Sequence, residues 1–149
     1  VVVEPTTADC LYRSARAGQI VEAPPPHTST MAGLNCGLPS MLAWPVLDQG
    51  TDAFVTIGDE IAYEAMRLLA ESGVTAGESG AAGLGGLLAL ADMPERDRSR
   101  IGFGPNTVAL VVNTEGATDP ANYERHTGVN VAALPQVAAR RQAAGVQEL

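Results

Sequence analysis

The chain has no lysine: all nine of its basic residues are arginine. That absence excludes a phosphate-binding Walker loop, which needs a Gly-Lys-Ser or Gly-Lys-Thr end. It also excludes covalent chemistry on a lysine amine supplied by this polypeptide. Taken alone, the absence also fits a GC-rich coding bias. Aromatic residues are scarce too, 4% against 46% hydrophobic, so alanine, valine, leucine and glycine do the packing and favour close helix–sheet contact. Two cysteines, Cys10 and Cys36, do not make the disulfide framework of a secreted domain. In a reducing cytosol they read as two small buried thiols or as one redox-sensitive pair. Positive charge is also short: the formal net charge of −8 argues against nucleic acid or an anionic membrane as a partner.

Long apolar runs are missing as well. The longest nearly uncharged one, residues 81–91, is too short to span a bilayer. No basic segment followed by an apolar stretch opens the chain, so the expectation is a cytoplasmic protein. There is no initiating methionine, and an opening on VVV reads as a chain cut from something longer. The 149 residues fit one domain with a modest core.

Residues 1–3 read as a buried strand ended by Glu4-Pro5. Residues 8–17 form a helix closed by Gly18. The stretch EAPPPHTSTMAGLNCGLP cannot continue a helix or a central strand and reads as a long loop over a surface or cleft. Ser40 is a candidate cap for a short helix through Leu47. A strand follows at residues 54–57, and Thr56 and Asp59 stand at capping-box spacing. The helix they open runs to about Ser72, with Ile61, Ala65, Leu68 and Leu69 on one face.

Gly77-Glu78-Ser79-Gly80 opens a second helix, AAGLGGLLALAD. Its glycines weaken an isolated helix by about 1 kcal/mol each relative to alanine, a cost that close approach to a sheet or ligand would offset. Residues 96–100 read as an exposed, charged connection. Residues 107–112 are an uninterrupted apolar strand of the kind buried on both faces of a parallel sheet. A polar turn, Asn113-Thr114-Glu115-Gly116, leads to a short helix at residues 121–126. The Ala-rich last twenty residues read as a marginal helix or a tail. The alternation of strand and helix predicts an α/β layer with parallel pairing.

Several motifs fail. The glycines of GAAGLGG do not match GxGxxG, because Leu88 occupies the last glycine position. No GxSxG elbow occurs. His27, Cys36, Cys10 and His126 would supply four zinc ligands by count, but without a CxxC or HxxxH pair. Two polar turns remain. Glu78 starts a glycine-rich helix, where free amides and the helix dipole favour a carboxylate or bind an anion; an ordinary acidic first-turn residue explains it equally. Thr114 ends a parallel-type strand, where open α/β sheets place ligand groups; a turn-forming hydroxyl is the plainer reading.

In order, the segments VVVEPTTADCLYRS, TSTMAGLNCGLPS, FVTIGDEIAYEAMRLL, GESGAAGLGGLLAL and VVNTEGATD resemble the C-terminal part of the fold-type II pyridoxal-phosphate (PLP) enzymes. MAGLNCG, GESGAAGLG and NTEGATD are most similar to the diaminopropionate ammonia-lyase family, over roughly residues 1–126. The resemblance implies a partial α/β three-layer sandwich of mostly parallel strands over residues 1–127, with residues 128–149 an Ala-rich tail. It implies that the Thr114 hydroxyl bonds the pyridine nitrogen of PLP, that Glu78 lies beside the cofactor, and that Met31, Ala32 and Gly33 line its cleft through backbone atoms. A neutral hydroxyl does not hold that nitrogen protonated as an aspartate would, which suits β-elimination.

Some relatives bind a divalent cation through the Glu of an EPxxADD-like turn and its second Asp. Glu4 is present here, but Cys10 replaces that Asp, so no metal is expected. The resemblance also brings Cys10 and Cys36 near one another and leaves a disulfide open. The family's cofactor-binding lysine, ring-cradling asparagine loop, phosphate cup and acid/base carboxylates are implied to lie upstream of VVVEP.

The chain is thus expected to hold no catalytic residue of its own. It would be an inactive fragment of a homodimeric, PLP-dependent amino-acid-degrading lyase acting on a small amino acid. Two alternatives are a free-standing non-catalytic ligand-binding or assembly module, and one chain of a split threonine- or serine-dehydratase-like enzyme.

Overall fold

The computed structural model describes residues 1–133, so most of the Ala-rich tail, residues 134–149, lies outside them. Two short strands, β1 (Val2–Pro5) and β2 (Phe54–Ile57), pair in parallel, Val2 opposite Phe54 and Pro5 opposite Ile57. Their connection carries α1 (Cys10–Ala17), a 3-10 turn at Ala32–Leu34, and α2 (Trp44–Gly50). After β2 come α3 (Asp59–Glu71), α4 (Glu78–Ala91), α5 (Glu95–Arg100) and α6 (Pro120–Thr127).

Neighbouring residues of a strand face opposite ways. Val3 packs on Gly86 of α4, whereas Glu4 reaches the first amides of α1. The small sheet therefore lies between α1 on one face and α4 with α3 on the other, an α/β three-layer arrangement. Tyr63, Ala65 and Met66 of α3 pack with Ala76, Ala81 and Tyr123 in the main core. Met31, Ile57, Ala62 and Ala82 form a second cluster.

The glycines of α4 are explained by what approaches them. A Cβ at Gly85 would lie 2.8 Å from Ile57 Cδ1, and one at Gly86 would collide with Val3 Cγ2. One at Gly83 would lie 2.9 Å from Val111 Cγ1, and one at Gly80 would strike Asn113 Oδ1 and the Glu115 carbonyl. A single helix is thus the floor for both the sheet and the segment of residues 107–115. The lost helix propensity is offset by contacts that alanine would prevent.

Several sequence expectations are corrected. The helix expected from Ser40 to Leu47 is α2, Trp44–Gly50. Pro45 suits its first turn, while Ser40 accepts the Ala43 amide in the turn before it. The capping box of Thr56 and Asp59 does not form: Gly58 is the N-cap of α3. Asp59 instead accepts the Ser29 hydroxyl at 2.6 Å and the Thr30 amide at 3.1 Å, tertiary partners that outcompete the local one. On α3, Ala65 is buried but Leu68 is exposed. Residues 95–100 are a short helix, not a plain connection.

The largest correction concerns residues 107–112, expected as a strand buried on both faces. They carry no ladder hydrogen bonds, and Val108 and Leu110 are 96% and 92% exposed. A strand is stabilised by neighbours, and among the described residues none lies beside this one.

Candidate functional site

The start of α4 has no side-chain N-cap of its own. The Asn113–Gly116 turn supplies one: Glu115 Oε2 accepts the Ser79 amide at 3.1 Å, and the Glu115 carbonyl accepts the Gly77 amide at 3.1 Å. Thr118 donates its hydroxyl to Glu115 Oε1 at 2.6 Å. Burial pushes the Glu115 carboxyl up, but the hydrogen bonds from Thr118 and from the side chain and amide of Ser79 outweigh it and hold the group below its ordinary value. The Gly33 amide donates to Ser79 Oγ at 3.0 Å, so the 3-10 turn, α4 and the polar turn meet at one serine.

Beside this junction lies a cavity of about 500 Å³ between β1 and residues 107–112, floored by α4. Val1, Val3, Leu34 and Ala82 line it, with Ser79 and Thr114 among its polar groups and no charged side chain among the described residues. The structure brings Thr114, Ser79 and the Gly33 turn together. Thr114 is exposed, and its hydroxyl makes no hydrogen bond among the described residues. Met31 is fully buried, whereas Ala32 and Gly33 are exposed. Glu78 is 7% exposed and does not line the cavity; its Oε1 accepts Asn122 Nδ2 of α6. Sequence reasoning missed Ser79 and Glu115. The only signal was their place in two polar turns, and nothing local joins residues that far apart.

On the other face of the sheet, Glu4 accepts the amides of Leu11 and Tyr12 at 2.9 and 2.8 Å, placing a carboxylate at the N-terminus of α1 where the dipole favours it. Burial raises its pKa, against the pull of those amides. Cys10 donates to Glu4 Oε1 at 3.6 Å, and burial, then the Glu4 charge, pushes the thiol up to about 12. Cys10 is buried, Cys36 is exposed, and both are free thiols. Among the described residues no group of three or more His, Cys, Asp and Glu side chains could hold a metal. Iodoacetamide near neutral pH is therefore expected to alkylate Cys36 and leave Cys10 intact until the chain is denatured. Peptide mapping checks this, and equal labelling of both in the folded chain would refute the buried Glu4–Cys10 pair.

A model of the family described as pyridoxal-phosphate dependent enzyme matches residues 1–113. The chain belongs to this family of PLP-dependent enzymes. Within it, diaminopropionate ammonia-lyase of Escherichia coli K12 is 38% identical over 130 residues, covering 83% of this chain and 33% of that protein. The Salmonella typhimurium enzyme of that name is 36% identical over 138 residues, with the same shares. This chain thus spans about a third of the length of the curated relatives it matches.

Among solved structures, E. coli diaminopropionate ammonia-lyase in complex with an aminoacrylate-PLP azomethine reaction intermediate superposes with TM-score 0.71 at 37% identity, covering 84% of this chain and 33% of that one. The same enzyme in complex with D-serine gives 0.72 at 34%, covering 89% and 34%. The T.th. threonine deaminase gives 0.56 at 29%, covering 62% and 35%. No helix among the described residues is long and apolar enough to cross a membrane.

Proposed function

We propose that this chain is one wall of the active site of a PLP-dependent ammonia-lyase that converts 2,3-diaminopropionate and water to pyruvate and ammonia. The observation that carries the reading is Thr114, a residue of the cavity wall whose hydroxyl has no hydrogen-bond partner among the described residues, in a lining with no charged side chain among them. Such a group suits a pyridine nitrogen and leaves it without a carboxylate counter-charge. Bound PLP supplies the electron sink for loss of the α-hydrogen. This chain's residues would bind and orient it: Thr114 would meet the ring nitrogen, and Met31, Ala32 and Gly33, next in the chain to the lining residue Leu34, would adjoin it through backbone atoms. Glu78, the neighbour of Ser79 in the chain, would lie near the cofactor without lining the cavity.

With no lysine, the chain is inactive alone. Its partners in this reading are the rest of the enzyme or a complementary chain, the amino-acid substrate, and a second copy in the intact enzyme. The sheet edge supports such a partner over a free-standing module. The Val2 and Thr6 amides donate toward β2, so alternation turns the Val3 backbone groups to the opposite edge, beside the cavity. An added strand there would bridge β1 and residues 107–112.

Incubation with equimolar PLP and borohydride is expected to leave every side chain unmodified, any reduced adduct being confined to the α-amine of Val1. A stable reduced adduct on a side chain would sink the fragment reading. Supplemented with the part of the E. coli enzyme outside the matched 130 residues, the chain should restore pyruvate release from 2,3-diaminopropionate. Thr114→Val should lower that rate about tenfold, the effect of one hydrogen bond. An undiminished rate would remove Thr114 from the site.

A further inference from the structure

Among the described residues the Thr114 hydroxyl has no hydrogen-bond partner, but the residues on either side of it do. Asn113 Nδ2 donates to the Thr75 carbonyl at 2.9 Å, and its Oδ1 accepts the Glu115 amide at 3.3 Å. The Glu115 carbonyl holds Gly77, and its carboxylate holds the Ser79 amide and the Thr118 hydroxyl. Gly80 has no side chain to keep this turn away. The backbone carrying Thr114 is therefore fastened on one side to the loop before α4 and on the other to the helix's first turn, while its own hydroxyl is left for something in the cavity.

The position of the Glu115 charge is the second clue. Glu115 is the carboxylate next to Thr114 in the chain, yet it is absent from the cavity wall and spends both oxygens on α4 and Thr118. Released from α4, a side chain of this length one residue from Thr114 could reach toward whatever Thr114 bonds. A negative charge beside a ring nitrogen would favour its protonated form, the opposite of what a threonine does.

We propose that Glu115 is a positioning residue for the ligand that Thr114 meets. By capping α4 at Ser79 it presents the Thr114 hydroxyl to the cavity and keeps its own charge off a ring nitrogen bound there. The ligand half of this inference rests on the Thr114 reading above; the clamp does not. The hydrogen bonds that hold the Glu115 carboxyl below its ordinary value keep it ionised at neutral pH. Because the folded-state value is lowered, the clamp's contribution is present above the ordinary carboxylate range and is lost as pH falls through the depressed value. The neighbouring carboxylates are occupied: Glu78 accepts the Asn122 side-chain amide and Asp119 accepts the Asn122 backbone amide.

The test is NMR on the full chain, following the Ser79 amide and the Thr114 methyl, with Met66 methyl shifts as the check on folding. In the wild type both signals should move together as acid protonates Glu115. Glu115→Ala should displace both at neutral pH while Met66 stays in place. Glu115→Gln, whose amide can still accept from Ser79 and meet Thr118, should restore the neutral-pH positions and abolish the acid transition. Unmoved signals in Glu115→Ala, or a Gln variant displaced as far as the Ala variant, would overturn the clamp.

The ligand probe is pyridoxine 5′-phosphate at millimolar concentration, which has the ring nitrogen and no aldehyde. It should shift the Thr114 methyl in the wild type and bind Glu115→Ala about tenfold more weakly. A probe that leaves wild-type Thr114 unmoved, with the clamp behaving as stated, overturns the ligand half and the Thr114 reading together. A probe that shifts Thr114 and binds Glu115→Ala equally well overturns the positioning role alone.

Discussion

Replacing Gly80 with alanine is expected to destabilise the chain by about 3 kcal/mol, at the upper end of ordinary overpacking. In an exposed helix interior the same change would stabilise by up to ~1 kcal/mol, so the expected sign is reversed. The reason is the identity of the neighbours. The new Cβ would strike the Glu115 carbonyl and Asn113 Oδ1, and that carbonyl cannot retreat without giving up the Gly77 amide. Gly83→Ala is the control. There the nearest atom is Val111 Cγ1 at 2.9 Å, a side chain on a segment without ladder bonds that can move aside. Urea denaturation should lower the midpoint of Gly80→Ala well below that of Gly83→Ala. Equal midpoints would mean that the polar turn does not sit on α4 as described.

Leu110→Asp is expected to leave the urea midpoint unchanged and to weaken self-association of the isolated chain by roughly thirtyfold. That factor corresponds to losing about 2 kcal/mol of buried leucine. Leu110 is 92% exposed and Val108 96%, so neither supports the folded chain, and both belong to an apolar run beside an open sheet edge. Such an edge associates through its unpaired backbone and apolar side chains. The wild-type chain should therefore bind a hydrophobic dye and show concentration-dependent mass in sedimentation, and the variant should do less of both. A wild-type chain that sediments as a monomer and leaves the dye dark would favour the free-standing module over the fragment.

These two results turn on features with different visibility in the sequence. The local elements were legible: α1 ends at Gly18, whose φ of 66° suits glycine, the period of α3 marked it as a helix, and the turn at Gly77–Gly80 marked the opening of α4. The family was legible from five ordered motifs. Of the residues named from the sequence, Gly33 donates its amide to Ser79, and Thr114 lines the cavity that Ser79 also lines. The capping-box expectation at Thr56 failed because Asp59 found better partners in Ser29 and Thr30, thirty residues away in sequence. Residues 107–112 have the composition of a buried strand, but burial requires neighbours that composition does not supply.

By itself, then, the sequence determined that this chain belongs among PLP-dependent enzymes and that it holds no lysine to bind the cofactor covalently. Both are properties of residue identity and order. Only the tertiary structure decided which polar groups are free and which are spent. Glu78 and Glu115 both border the start of α4, yet one is sealed against Asn122 and the other caps Ser79, leaving the uncharged Thr114 to face the cavity. A side chain's availability depends on partners brought from dozens of residues away, and no local pattern encodes that choice.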